Sequence, residues 1–109
     1  MANVQYSGAA IGDLEQIGDY IAEDLQNPQA ALNTVSKIQD AIDKLAEFPL
    51  IGVPLSSVAG IDTDYRFLVC GNYLAFYRPL ESDVLIDRIL YGRRDYLAIL
   101  FGDLPRDEM

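Results

Sequence analysis

Residues 65–91 hold three apolar runs, Tyr65–Cys70, Tyr73–Arg78 and Val84–Tyr91, and only Gly71-Asn72 separates the first two. So short a connection forces an antiparallel hairpin, because a parallel partner needs a crossover of a dozen residues or more. Gly and Asn also tolerate the positive φ that a two-residue turn demands. Pro79–Asp83 reads as a second, polar turn and Gly92 ends the last run, so the segment is a three-stranded meander. With these turns Val69 faces Leu74 and Phe76 faces Ile86. Alternation then sorts the side chains onto two faces. One face carries Tyr65, Phe67, Val69, Leu74, Phe76, Ile86 and Leu90, with Arg78 and Arg88. The other carries Arg66, Leu68, Cys70, Tyr73, Ala75, Tyr77, Leu85, Asp87, Ile89 and Tyr91. The first is richer in Phe and aliphatic residues and is expected to meet the helices. The second has the Tyr/Arg composition of a recognition surface.

Upstream the period changes. Ala10, Leu14, Ile17, Ile21 and Leu25 form one face of a helix, with Ser7 as its N-cap and Asp13, Glu15, Asp19, Glu23 and Asp24 on the remaining surface. Asn27-Pro28 starts a second helix whose buried stripe is Ala31, Val35, Ile38, Ile42 and Leu45, ending before Pro49. The connection is too short for anything but an antiparallel helix hairpin. Ala2–Tyr6 reads as an edge strand, 50–64 as a loop, and Asp95 as the cap of a short helix reaching Phe101 before a frayed end. The expectation is one α+β domain spanning residues 1–109.

The 109 residues include 8 Lys+Arg and 17 Asp+Glu, a net charge of −9, with one cysteine and no histidine. That composition excludes a disulfide framework, a cysteine-based zinc site and every Ser-His or Cys-His nucleophile, and no metal or cofactor is expected. The acidity argues against direct nucleic-acid binding by bulk charge. No apolar run reaches the ~18 residues of a membrane span, and no signal peptide is evident, so a cytoplasmic protein is expected. The charge is uneven. Residues 1–60 hold two basic residues against eight acidic ones, whereas 66–94 hold five arginines against three acids. Arginine suits bidentate pairing and stacking on aromatic rings. Arg88, on an apolar face, is expected to be an ion-pair member, and Cys70 a buried, inert thiol.

The order strand, helix hairpin, Pro/Gly-rich loop, meander and short helix resembles the RelE/ParE superfamily of bacterial toxins over essentially the whole chain. The resemblance is carried by Arg66, the Gly71-Asn72-Tyr73 turn, Phe76-Tyr77-Arg78 and Gly92-Arg93-Arg94-Asp95, with weaker support from LEQIGDYI and EFPLIGVPL. It implies a RelE/ParE-like α+β fold: an antiparallel β-meander with an N-terminal strand, an α-helical hairpin packed on one face, and a short C-terminal helix. It also implies the toxin of a type II toxin–antitoxin pair, of the kind tied to plasmid stabilization, with a cognate antitoxin as partner.

Two activities divide the superfamily: RelE-like members cut mRNA on the ribosome, and ParE-like members inhibit DNA gyrase. Basic positions of the RelE pattern match Arg66 and Arg94, but Leu68 and Leu74 stand at two others, and no histidine can act as base. Arginine does not serve as a base near neutral pH. A nuclease reading would therefore rest on Arg66, Arg94, Tyr77 and Tyr91, with a tyrosine donating a proton. The favoured reading is nearer ParE: Arg66, Tyr77, Tyr91, Arg93 and Arg94 form a target-binding patch, with DNA gyrase as target and the ribosome with mRNA as the alternative. A relative surviving as a non-toxic binding module is a third reading. Tyr91 stands where many ParE-like relatives have histidine. The antitoxin is expected to lie across the helix hairpin and the sheet edge and, facing a net-negative chain, to carry Lys or Arg.

Overall fold

The computed structural model describes residues 1–102. The elements are β1 (Asn3–Tyr6), α1 (Gly8–Asp19), a π-helical turn (Tyr20–Asp24), α2 (Pro28–Asp43), β2 (Val53–Pro54), α3 (Leu55–Ala59), β3 (Arg66–Cys70), β4 (Tyr73–Pro79), β5 (Asp83–Tyr91) and α4 (Tyr96–Phe101). The expected frayed end beyond Gly102 lies outside the described residues. No described helix is long and apolar enough to cross a membrane.

The expected caps of both hairpin helices form. The Ser7 hydroxyl accepts the Ala10 N–H at 2.9 Å and donates to the Asp87 carbonyl at 2.7 Å, so the cap of α1 is also its tie to β5. Asn27 accepts the Ala30 N–H at 3.0 Å, with Pro28 opening α2. The stripe of α1 does not run true to its end. At the π turn the Leu25 N–H bonds to the Tyr20 carbonyl, five residues back, and Gln26 follows at φ 52°. The wider turn breaks the 3.6-residue period. Leu25, placed by that period in the core, is 55% exposed.

The sheet order is β1-β5-β4-β3-β2, with β1 parallel to β5 and the other pairs antiparallel. The Gly71-Asn72 turn sets Val69 opposite Leu74 as expected. The next pairing differs. Phe76 faces Arg88 and Tyr77 faces Ile86, so Asp87 is an extra residue at a β-bulge. The expected loop over 50–64 contains two elements: Val53 and Pro54 pair with Phe67 and Arg66, and α3 buries Leu55. A proline fits there because this strand is the sheet's edge.

The helix hairpin covers the face opposite to the one expected. Ile17, Ile21, Ala31, Ile38, Ile42 and Leu45 pack with Cys70, Ala75, Tyr77, Val84, Ile86 and Ile89. Phe76 and Leu90 lie on the other face with Leu55, covered by α4 residues Tyr96, Leu97, Ile99, Leu100 and Phe101. The supposed recognition face is thus largely interior. Alternation could not decide, because helices cover both faces and both are apolar. The bulge moves Ile86 across, and Val69, expected in the core, is 66% exposed.

Candidate functional site

Three of the five arginines in the meander region are committed to the fold. Arg88 forms a forked pair with Asp13 (Nε–Oδ2 2.8 Å, Nη2–Oδ1 2.9 Å), as its position on an apolar face implied. Asp13, expected on the helix surface, is buried, and its Oδ2 also accepts the Ile89 N–H at 2.8 Å. Past the stretch of β5 paired with β1, this carboxylate supplies a partner to the strand's backbone. Arg78 lies 3.3 Å from Asp87 Oδ2, and its guanidinium sits over the Tyr65 ring, 5.4 Å from the centroid.

Arg66 and Tyr77 have a different task from the one the sequence suggested. Tyr77 is fully buried. Its hydroxyl donates to the Pro49 carbonyl at 2.8 Å and accepts the Gly52 N–H at 2.9 Å. Arg66 Nη1 donates to the carbonyls of Leu50 (3.1 Å) and Gly52 (2.8 Å). Together they clamp the loop between α2 and β2. Glycine is required at 52, since a Cβ there would sit 2.5 Å from the Tyr77 hydroxyl. Burial also pushes the Tyr77 hydroxyl above its ordinary pKa. Tyr77 therefore does not belong to an exposed patch.

Tyr91, Arg93 and Arg94 gather at the other end of the meander. Tyr73 pairs with Tyr91 across the strands, four residues along β4 from Tyr77, or about 13 Å. The two rings meet edge-on at 5.9 Å. Past Gly92 the chain folds back, with the Arg94 N–H on the Tyr91 carbonyl at 3.0 Å. Arg93 and Arg94 are exposed, with no side-chain partner among the described residues. Arg94 borders a cleft of about 600 Å³ lined by Asp13, Gln16, Ile17, Tyr20, Leu25, Asn72, Tyr73, Ile89, Leu90 and Tyr91. The five residues expected in one patch thus divide into a structural clamp, Arg66 and Tyr77, and an open group, Tyr91, Arg93 and Arg94.

Sequence reasoning missed Tyr20 and Leu25 as cleft residues. Tyr20 stands off the apolar stripe near a helix end, which was its one signal; Leu25 lay on the stripe and gave none. The cleft's carboxylate, Asp13, already accepts three hydrogen bonds. Among the described residues no group of three or more His, Cys, Asp or Glu side chains could hold a metal ion. Chemically, the site offers tyrosine faces, aliphatic surface and uncommitted guanidinium groups, the residue types that dominate protein interfaces.

A bulged antiparallel meander with a parallel N-terminal strand and a helix hairpin on one face is the architecture of a RelE/ParE superfamily toxin. The model of the family described as the ParE toxin of type II toxin-antitoxin system, parDE, matches residues 4–96. The chain belongs to that family. A relative from Sinorhizobium fredii (strain NBRC 101917 / NGR234), named "Putative toxin Y4kP", is 31% identical over 99 residues, covering 89% of this chain and 95% of its own. Two solved structures share the fold. The chromosomal ParDE TA system from P. aeruginosa matches with a TM-score of 0.69 at 23% identity, over 84% of this chain and 96% of that one. YafQ from E. coli strain BL21(DE3) matches with a TM-score of 0.52 at 16% identity, over 94% and 100%.

Proposed function

We propose that this toxin acts by binding a protein, with DNA gyrase as the target, through the end of the sheet that presents Tyr91, Arg93 and Arg94. The observation that carries the reading is that those two arginines, exposed and without a side-chain partner among the described residues, stand beside a half-exposed tyrosine and an open cleft. The residues of the nuclease alternative do not converge: Arg66 is spent on the 50–52 backbone, Tyr77 is buried, and both lie about 13 Å along the strands from Tyr91. A general base must come within hydrogen-bond reach of the proton it takes, and the cleft's carboxylate is engaged elsewhere.

A cognate antitoxin neutralises the toxin in this reading by lying across the helix hairpin and the β1 edge. There Tyr6, Ile11, Leu14, Glu15, Val35 and Gln39 line a separate apolar groove of about 360 Å³. Glu15 at that groove would pair with a basic residue of the partner.

The test is purified full-length protein in a gyrase supercoiling reaction beside translating ribosomes. Supercoiling should fail while mRNA stays intact. Arg94→Ala should weaken inhibition about tenfold or more, the effect of an anchor worth ~1.4 kcal/mol, with no change in melting temperature. Cleaved mRNA with untouched supercoiling would return Arg66 and Arg94 to phosphate stabilisation.

A further inference from the structure

The cleft bordered by Arg94 does not end at Tyr73. A second basin of about 390 Å³ adjoins it and runs toward α2, where Lys37 stands on its wall. The two basins share Tyr20, Leu25, Asn72 and Tyr73, so one groove crosses between the π turn and the β3–β4 turn. Its charge is opposite to that of the molecule. The chain carries −9 overall, yet the groove's charged lining is Arg94 and Asp13 in the first basin and Lys37 in the second, and Asp13 is paired with Arg88. Lys37, like Arg94, has no side-chain partner among the described residues. Asp19, Glu23 and Asp24, exposed near the π turn, line neither basin.

We propose that this groove receives an acidic segment of a partner protein, with apolar or aromatic side chains seated on Tyr20, Leu25 and Tyr73 and carboxylates on both sides of them meeting Arg94 and Lys37. Three observations argue for a protein segment over an enclosed small ligand. Tyr20 is 51%, Leu25 55% and Tyr91 42% exposed, so the groove is an open surface. Tyrosine supplies large contact area at low entropic cost, as recognition surfaces do. Leu25 belongs to the buried period of α1 and is delivered to the groove only by the π turn, a feature frequent at functional sites. A cationic segment, the natural partner of the acidic molecule as a whole, would meet like charge at both ends here. The groove is distinct from the apolar groove at Glu15.

This inference rests on the reading of the Arg94 cleft as a protein-contact site, and the test separates the two. Random 12-residue peptides displayed on phage are selected against the full-length chain. Selected peptides should carry an apolar or aromatic centre flanked on both sides by Asp or Glu. Lys37→Glu and Arg94→Glu should each reduce their binding tenfold or more, and Lys44→Glu, outside the groove, should not. Cationic consensus peptides, no enrichment, or sensitivity to only one of the two cations would overturn it. Supercoiling inhibition that is lost in Arg94→Glu while no acidic peptide is selected leaves the protein-contact reading standing and removes the inference. Acidic peptides that bind as expected while wild-type protein leaves supercoiling untouched keep the inference and remove gyrase as target.

Discussion

At the scale of single residues, a few buried polar groups hold elements together that apolar packing alone would leave free to slide. Asp13 is one, joining α1 to β5 through Arg88 and the Ile89 amide. Asp13→Ala would strand a guanidinium and a backbone N–H, and removing one partner of a buried pair costs about 3–5 kcal/mol. Arg88 keeps some solvent access, so the lower end, ~3 kcal/mol, is expected in urea unfolding. Tyr77 is another. Tyr77→Phe leaves the Pro49 carbonyl and the Gly52 N–H unpaired and should cost about 1–3 kcal/mol. Gly52→Ala should cost at least as much, because its Cβ would force Tyr77 or the Phe67 carbonyl aside. Unchanged urea midpoints for these variants would refute the clamp.

Among the elements, α2 depends on its buried stripe. Ile38 is 1% exposed and Ile42 is fully buried against the sheet, as is Leu45 in the 3-10 turn (Lys44–Ala46) that continues the helix. An aspartate at Ile38 would bury a carboxylate within the apolar cluster between the hairpin and the sheet, so Ile38→Asp should abolish the cooperative thermal transition. A retained transition would show the core to be misassigned. α4 is a different kind of element, with no fully buried residue of its own, yet it covers Phe76 and Leu90. Leu100→Asp should loosen α4 while the rest stays folded. The expected sign is amide exchange that accelerates in 96–101 but not in β4 or β5.

For the whole molecule, the absence of histidine removes the only side chain with an unperturbed pKa inside the physiological range. Two partly buried tyrosines add a pH dependence at the alkaline end. Burial, then the Asp87 acceptor, pushes the Tyr65 hydroxyl up to about 12, and burial beside Asp43 pushes Tyr6 up to about 12. The folded state therefore keeps these protons between pH 10 and 12 while the unfolded chain loses them. Stability is whole below pH 10 and falls across that window. Ultraviolet titration of tyrosinate should show these two ionising last. Tyr65→Phe should flatten the fall of melting temperature with pH, and an unchanged slope would contradict the assignment.

The local signals in the chain were enough for the helix hairpin, the three-stranded meander and their order, though not for β2 and α3 within the 50–64 loop. Ser7 and Asn27-Pro28 start helices because their side chains and fixed φ act within one turn, and Gly71-Asn72 makes a hairpin because two residues can do nothing else. The Arg88 ion pair was legible too, since a charge on an apolar face needs a partner. Three things were decided only when the elements packed. Which face of the sheet receives the hairpin depended on the bulge at Asp87 and on α4 covering the opposite side, neither visible in alternation. The role of Tyr77 depended on a loop 25 residues earlier in the chain folding over it. The groove depended on a π turn that carries Leu25 out of its period to stand beside Tyr73. Periodicity reports what one segment prefers; burial and hydrogen-bond satisfaction are settled among segments, and there the tertiary structure had the final word.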